Sequence, residues 1–476
     1  MNSFLKNIGK TFSSNVIQLI SGILTGFLVP DMLGIIGYAD YKTYTLYLAY
    51  ISILSFGMGD GLLIKYAGTD KEQLDAGVIR YYTRLYYIQL LVFFSVGLII
   101  CFLVVPSENR FISIALAFSI LSSQTIGLHQ NFSILTSRFG EYSKRVIIKS
   151  IVNILVTLTL FTVSKITDRN IRFELYLVFV LISEFCLALW YFITYKEFNI
   201  GRIKKTGLED NYFKVLKLGL MLLFSNMSGT ILLNLDRQFV SVLFPKETYG
   251  VYAFAYNMFS LVTTMTAAIS VVLFPTMKKI QNYDIRIHLQ KYHLFFTILV
   301  VSSLMVFFPL SIVIEWLLKS YITSISILRI ILPGLVLSSC VNVIFYNFYK
   351  YENKVSSFFV KTVLCIILSA TMNYVAYEAT KSFYAISWAS IVSLSVWYFL
   401  IGGYFIKKYK VRMEKTIIYT FMMFLEFYII TSIIKNNYLG LIVYLICLVA
   451  STTLTFPKLV KQFVLSAEKH LTHRKS

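Results

Sequence analysis

The chain has 476 residues, of which 57% are apolar and only 14% charged, where soluble globular domains carry roughly 25% charged. Its 44 Lys and Arg against 23 Asp and Glu give a net charge of +21. This combination excludes an ordinary soluble enzyme and makes the side of a membrane on which the charge lies the first question.

A spanning helix takes about 20 apolar residues, so fourteen would use about 280, which matches the apolar content and leaves no domain outside the bilayer. The first span is expected at 11–30, behind Lys6 and Lys10. Its apolar run is too long for a signal peptide and has no A-x-A-like cleavage site, so it reads as an uncleaved helix. Further spans are expected at 43–64, 85–107, 111–135, 146–164 and 173–195. After a basic stretch come 216–244, 248–277, 292–314, 330–349, 357–377 and 382–406, and then 416–434 and 436–457. The predicted fold class is therefore all-α, a polytopic membrane protein of about 14 helices.

An even count puts both termini on one side. With the termini cytoplasmic, and with Lys149, Lys217 and Lys361 near span ends counted with the adjoining loops, the inward segments hold 33 Lys and Arg and the outward loops 9, the first outward loop contributing Lys42; the other two are Arg237, within a span, and Arg329, at the start of one. That asymmetry is the positive-inside rule, so the net charge reads as topology and anionic-lipid contact rather than a nucleic-acid surface. Five cysteines lie in apolar runs without ligand spacing and read as core residues.

The stretch 201–215, with Lys204-Lys205, reads as a cytoplasmic linker between two six-helix lobes at 1–200 and 216–406. Residues 407–457 supply two accessory helices, and 458–476 read as a basic amphipathic tail on the inner surface. Laying residues 5–41 on 216–252 matches Ser14-Asn15 with Ser225-Asn226, and Tyr38 and Tyr41 with Tyr249 and Tyr252. Six helices separate the copies, which makes the lobes parallel repeats.

Catalytic motifs are absent. There is no G-x-x-x-x-G-K-[ST], no metal-ligand spacing and no outward loop long enough for an aqueous active site, so neither cofactor nor metal is expected. The sharpest local signal is Asp236-Arg237 in the middle of the seventh span. A charge at that depth costs about 2.5 to 3.5 kcal/mol on insertion scales and needs a cavity or a partner. Adjacent helical residues do not face each other, so each of the two needs its own. Arg237 continues a helical stripe of Asn226, Thr230, Asn234 and Ser241. Either this face lines a wet cavity where Arg237, Asn226 and Asn234 grip an anion, or Arg237 belongs to a structural ion pair.

Arg329, four residues before Pro333, reads either as a second substrate contact or as a snorkelling side chain. His129 lies on a stripe with Ser122, Thr125, Ser133 and Thr136, and reads as a proton relay or as part of a helix-joining hydrogen-bond row. Glu184, with Glu315 and Glu426, reads as a proton-coupling acid or a bonded structural carboxylate. Asp236, Glu184 and His129 are the ion-coupling candidates.

The stretch Asn234-Leu-Asp236-Arg237 through Phe244-Pro-Lys-Glu-Thr-Tyr249-Gly250-Val-Tyr252-Ala, the basic middle loop and the six-plus-six-plus-two layout resemble the polysaccharide transporter family. Its best-known members are O-antigen flippases, within the multidrug/oligosaccharidyl-lipid/polysaccharide exporter superfamily. The segment Leu33-Gly34-Ile-Ile-Gly37-Tyr38 is similar to the turn after that family's first span, with Gly and Tyr in reverse order. The resemblance implies alternating access by two lobes, without enzymology, carrying an undecaprenyl-diphosphate-linked oligosaccharide across the bacterial cytoplasmic membrane on an ion gradient. It implies a monomer working with membrane lipid, a polysaccharide polymerase and a chain-length regulator. Lipid II flippases and multidrug exporters of the same superfamily remain open as alternatives, as does a polytopic polymerase or ligase.

Overall fold

The computed structural model describes residues 2–66, 69–204, 211–279 and 284–457. The basic tail expected at 458–476 and positions 205–210 of the expected linker lie outside them. Every regular element among the described residues is helical. In chain order these are α1 (Asn2–Ile51), α2 (Met58–Tyr66), α3 (Ala76–Leu103), α4 (Ser107–Leu135), α5 (Phe139–Thr167), α6 (Phe173–Thr194), the single turn α7 (Lys196–Asn199), α8 (Tyr212–Leu243) and α9 (Lys246–Lys279). They continue as α10 (Ile285–Ser302), α11 (Phe307–Leu317), α12 (Thr323–Ile331), α13 (Gly334–Ser339), α14 (Tyr346–Tyr351), α15 (Val355–Thr380), α16 (Phe383–Tyr409), α17 (Glu414–Ile433) and α18 (Asn437–Thr455).

Side-chain oxygens start several of these helices by taking amide protons that no turn can reach. Asp75 accepts from Gly77 and Val78 ahead of α3, and Asn211 from Lys214 at α8. Within α1, Gly34 leaves helical geometry at φ 69°, a left-handed value that glycine adopts freely. The 211-residue shift of the sequence repeat lays Gly34 on Pro245, the residue just ahead of α9.

Contacts divide the chain into two compact units, one of residues 1–257 with 355–370, the other of 258–354 with 371–476. In the first unit, α2 meets α8 at glycines: a Cβ on Gly219 would stand 1.9 Å from the Gly57 carbonyl oxygen, so only glycine fits there. Its interior is aromatic, with Tyr82, Tyr86, Phe132, Tyr191 and Tyr195 fully covered. On the opposite face of α3, Ile88, Leu91, Val92, Val96 and Ile99 are exposed. Such a stripe at helical spacing suits lipid rather than water. In the second unit, His293, Phe345 and Tyr398 form a buried ring cluster, and the Tyr428 hydroxyl donates to the Ile330 carbonyl at 2.9 Å.

Among the described residues, eleven helices are long and apolar enough to cross a membrane, or twelve if α12 with α13–α14 counts as one span. That pair is bent by 44° around Pro333, whose ring and missing N–H interrupt the helix. The sequence predicts fourteen. The structure carries the first two expected spans as one continuous element, Ser14–Ser55, and α9 is not among the eleven.

Candidate functional site

The site builds up from α8. Thr230 bonds back to the Asn226 carbonyl at 3.2 Å, and the Asn234 amide to the Thr230 carbonyl at 2.8 Å, so the polar stripe runs up one helix face. The Asn234 side-chain oxygen then accepts a hydrogen bond from Arg237 Nη2. Asn234 and Asp236 are buried, Arg237 is half-buried and Asn226 is exposed.

Asp236 and Arg237 point to different partners, as adjacent helical residues must. Asp236, 2% exposed, accepts the Tyr252 hydroxyl at 3.0 Å on one oxygen and the Arg237 backbone N–H at 2.7 Å on the other. Arg237 sets its guanidinium 4.9 Å from the ring centre of Tyr256, a cation–π geometry. Its Nε is buried without a hydrogen-bond partner, and among the described residues it forms no ion pair with a carboxylate. A buried donor left in that condition calls for a ligand, ion or water.

A residue absent from the sequence prediction completes the cluster. Lys42, expected as an outward loop charge, lies inside α1. Its Nζ donates to the Asn257 side-chain oxygen at 2.7 Å and stands over the rings of Tyr38 and Tyr41 at 5.2 and 5.7 Å. Lys42 on Asn257 and Arg237 over the adjoining Tyr256 thus set two basic side chains among aromatic rings. The neighbouring pair Lys246–Asp40, 2.7 Å apart, is neutral as a whole. Sequence offered one signal for Lys42: it follows the Tyr38 and Tyr41 of the internal repeat.

The other predicted residues lie elsewhere. In α4 the His129 Nδ1–H donates to the Thr125 carbonyl at 2.7 Å, and Nε2 accepts from the Asn199 amide at 2.9 Å, the tautomer these partners require. Glu184 in α6 pairs with Lys149 at 3.1 Å, and its second oxygen is buried and unbonded. Arg329 is in the second unit, half-buried on α12, with Nε unbonded. Also in that unit, Glu315 accepts from Asn437 at 3.3 Å and Glu426 from Ser451 at 2.8 Å. Within the first unit the structure thus brings Asn234, Asp236 and Arg237 together, while His129 and Glu184 have other partners. Among the described residues no group of three or more His, Cys, Asp or Glu could hold a metal ion.

The sequence profile of the family described as "Polysaccharide biosynthesis protein" matches residues 4–281, more than half of the chain and the whole of this cluster. The chain belongs to that family. No curated protein matches it in sequence. Among solved structures it is similar to "Lipid II flippase MurJ, inward closed conformation", with a TM-score of 0.68 at 13% identity over 96% of this chain and 100% of that one. It is also similar to an inward-facing multidrug resistance MATE family transporter of the MOP superfamily, with a TM-score of 0.60 at 14% identity over 85% of this chain and 98% of that one. A Vibrio cholerae MATE transporter matches at a TM-score of 0.54 and 11% identity, over 86% and 99%. At these identities the likeness establishes the fold. Family and fold together make the chain a multi-pass, all-helical membrane protein of a polysaccharide biosynthesis family, with the fold seen in these transporters.

Proposed function

We propose that this protein is a flippase that carries a polyprenyl-diphosphate-linked oligosaccharide, such as an O-antigen repeat unit, across the bacterial cytoplasmic membrane. A polar head cannot cross about 30 Å of hydrocarbon unaided, so it takes a polar path while its tail stays in lipid. The diphosphate beside the sugar is anionic, and a guanidinium binds such oxygens in a bidentate fork. The observation that carries this reading is Arg237: half-buried, held by Asn234 and Tyr256, and with its Nε buried and unbonded. Lys42 adds a second basic side chain and Tyr252 holds Asp236 aside. Asn226, exposed on the same stripe, and, in the second unit, Arg329 are the further substrate contacts of this reading. Asp236 and Glu184 are the acids proposed for ion coupling; His129 has both ring nitrogens engaged and receives no titrating role.

The same reading takes the chain as two six-helix lobes, 1–200 and 216–406, joined by the linker at 201–215 and followed by the accessory helices of 407–457. Counting α1 as two spans that meet at Gly34, and α9 as a span of its own, brings the twelve to fourteen. The coincidence of Gly34 with Pro245 under the repeat supports that count. Both termini are then cytoplasmic by the positive-inside bias.

The test is translocation of a fluorescent undecaprenyl-diphosphate-linked oligosaccharide in proteoliposomes. The wild type and Arg172→Ala, a change at an exposed residue, should move the lipid, while Arg237→Ala should fold and fall at least about tenfold, a loss of ~1.4 kcal/mol. If lipid II or a cationic drug is moved in place of the oligosaccharide, the substrate assignment is overturned. If Arg237→Ala transports normally, the anion site is.

A further inference from the structure

A polar cavity lies inside the first unit, walled by α1, α4, α5 and α6. Its volume is about 350 Å³, within the size of small-ligand pockets. Gln18, Gln130, Arg145, Lys149, Asn153 and Tyr191 are among the residues lining it. Arg145, Lys149 and Asn153 follow one another at intervals of four on α5, so a single helix face presents two cations and an amide to the space.

Arg145 is 4% exposed and rigidly held. Nη2 donates to Thr194 at 2.7 Å, and the guanidinium carbon stands 4.3 Å from the Tyr191 ring centre and 5.1 Å from that of Trp190. Glu141 approaches Nη1 only to 3.6 Å, and that carboxylate is already shared with Arg138 and Tyr195. Nε and Nη1 consequently have no hydrogen bond. Buried guanidinium donors in that condition are rare and mark the place of an acceptor that the chain itself does not supply. Lys149 has an internal acceptor, Glu184, at 3.1 Å, whose other oxygen is unbonded.

We propose that this cavity is a phosphoryl-anion site, with Arg145 as its fixed fork and Lys149 as a movable cation that exchanges Glu184 for the ligand. Glu184 neutralises Lys149, whose side chain is 35% exposed and so free to change partner. An arriving phosphoryl group takes the unmet donors of Arg145 and competes with Glu184 for Lys149. The anion is a phosphoryl group of a membrane lipid, of the transported substrate, or free. Only the second of these sources rests on the flippase reading.

The test is isothermal titration of the purified full chain with inorganic pyrophosphate, with folding of each variant checked by circular dichroism and size-exclusion chromatography. Lys149→Gln should weaken binding about tenfold or more, because a cation is lost. Glu184→Gln should tighten it several-fold, because the competing anion is lost; a purely structural ion pair has no reason to show this opposite response. Each variant is measured in an Arg237→Ala background, so that the diphosphate contact proposed on α8 does not enter the titration. Displacement of pyrophosphate by phosphatidylglycerol, by undecaprenyl diphosphate or by neither then assigns the source to lipid, to substrate or to free phosphate. If the wild type binds no pyrophosphate, or if Lys149→Gln and Glu184→Gln both match the Arg237→Ala background, the proposal is overturned. Loss of binding in Arg237→Ala alone would assign the anion to α8 and overturn this site while leaving the flippase reading intact.

Discussion

Helices α4 and α8 carry comparable rows of polar residues in their spans, and their environments treat those rows in opposite ways. In α4, His129 is closed off by Thr125 and Asn199, Ser133 meets the Tyr195 hydroxyl at 2.9 Å, and Gln124 bonds both Tyr86 and the Ile51 carbonyl. Those hydrogen bonds are spent on joining helices. In α8, the row ends in Arg237, a cation with an unbonded Nε and a second basic side chain nearby. Polarity within a span is therefore a weak sign of function, and unfilled hydrogen-bonding capacity is a stronger one.

Three experiments can break or sharpen this contrast. The largest effect is expected from removing both basic side chains of the α8 cluster with Lys42→Met and Arg237→Gln together. Transport should fall by about 100-fold, ~2.8 kcal/mol, in a protein that still folds, as read by the proteoliposome assay. A double variant with normal transport would place the anion path elsewhere. The next effect concerns α4: His129→Leu leaves the Asn199 amide with only the Phe192 carbonyl, at 3.0 Å. Its expected cost is stability, about 1 to 3 kcal/mol, seen as a lower Tm, with transport per folded molecule and its pH profile unchanged. A flattened pH profile in that variant would move His129 from structure to coupling.

The smallest effect lies outside the spans, where solvent weakens any pair. Asp75, ahead of α3, is held below the usual carboxylate range first by the hydrogen bond from Lys204, at 2.7 Å, and then by the amides of Gly77 and Val78. A depressed folded pKa contributes stability above the unfolded value of about 4 that is lost as pH falls through the folded one. Asp75→Asn should therefore lower Tm by about 1 °C near pH 7 and by less below pH ~4. An unchanged difference at both pH values would show that the carboxylate's charge contributes nothing to this cap.

Much of the architecture was legible because bilayer physics writes it locally. Span length and charge-free runs both act within about 20 neighbouring residues. The α8 stripe was legible for the same reason, since Asn226, Thr230, Asn234 and Arg237 share one helix face by periodicity alone. Even the bend before α13 follows from Pro333.

The sites were legible only in part. Lys42 reads from sequence as a loop charge and Arg145 and Lys149 carry no motif, because all three stand near the ends of apolar runs; in the structure all three lie within long helices, against partners far away in sequence. Lys42 meets Asn257 across 215 residues, and Glu184 meets Lys149 across 35. By itself the sequence determined a helical membrane protein, most of its helices in order and the polar face of α8, because each depends on local composition and helical period. Tertiary structure alone decided which of the polar groups are filled and which are not, because a hydrogen bond is satisfied or left open by the helix that happens to stand opposite.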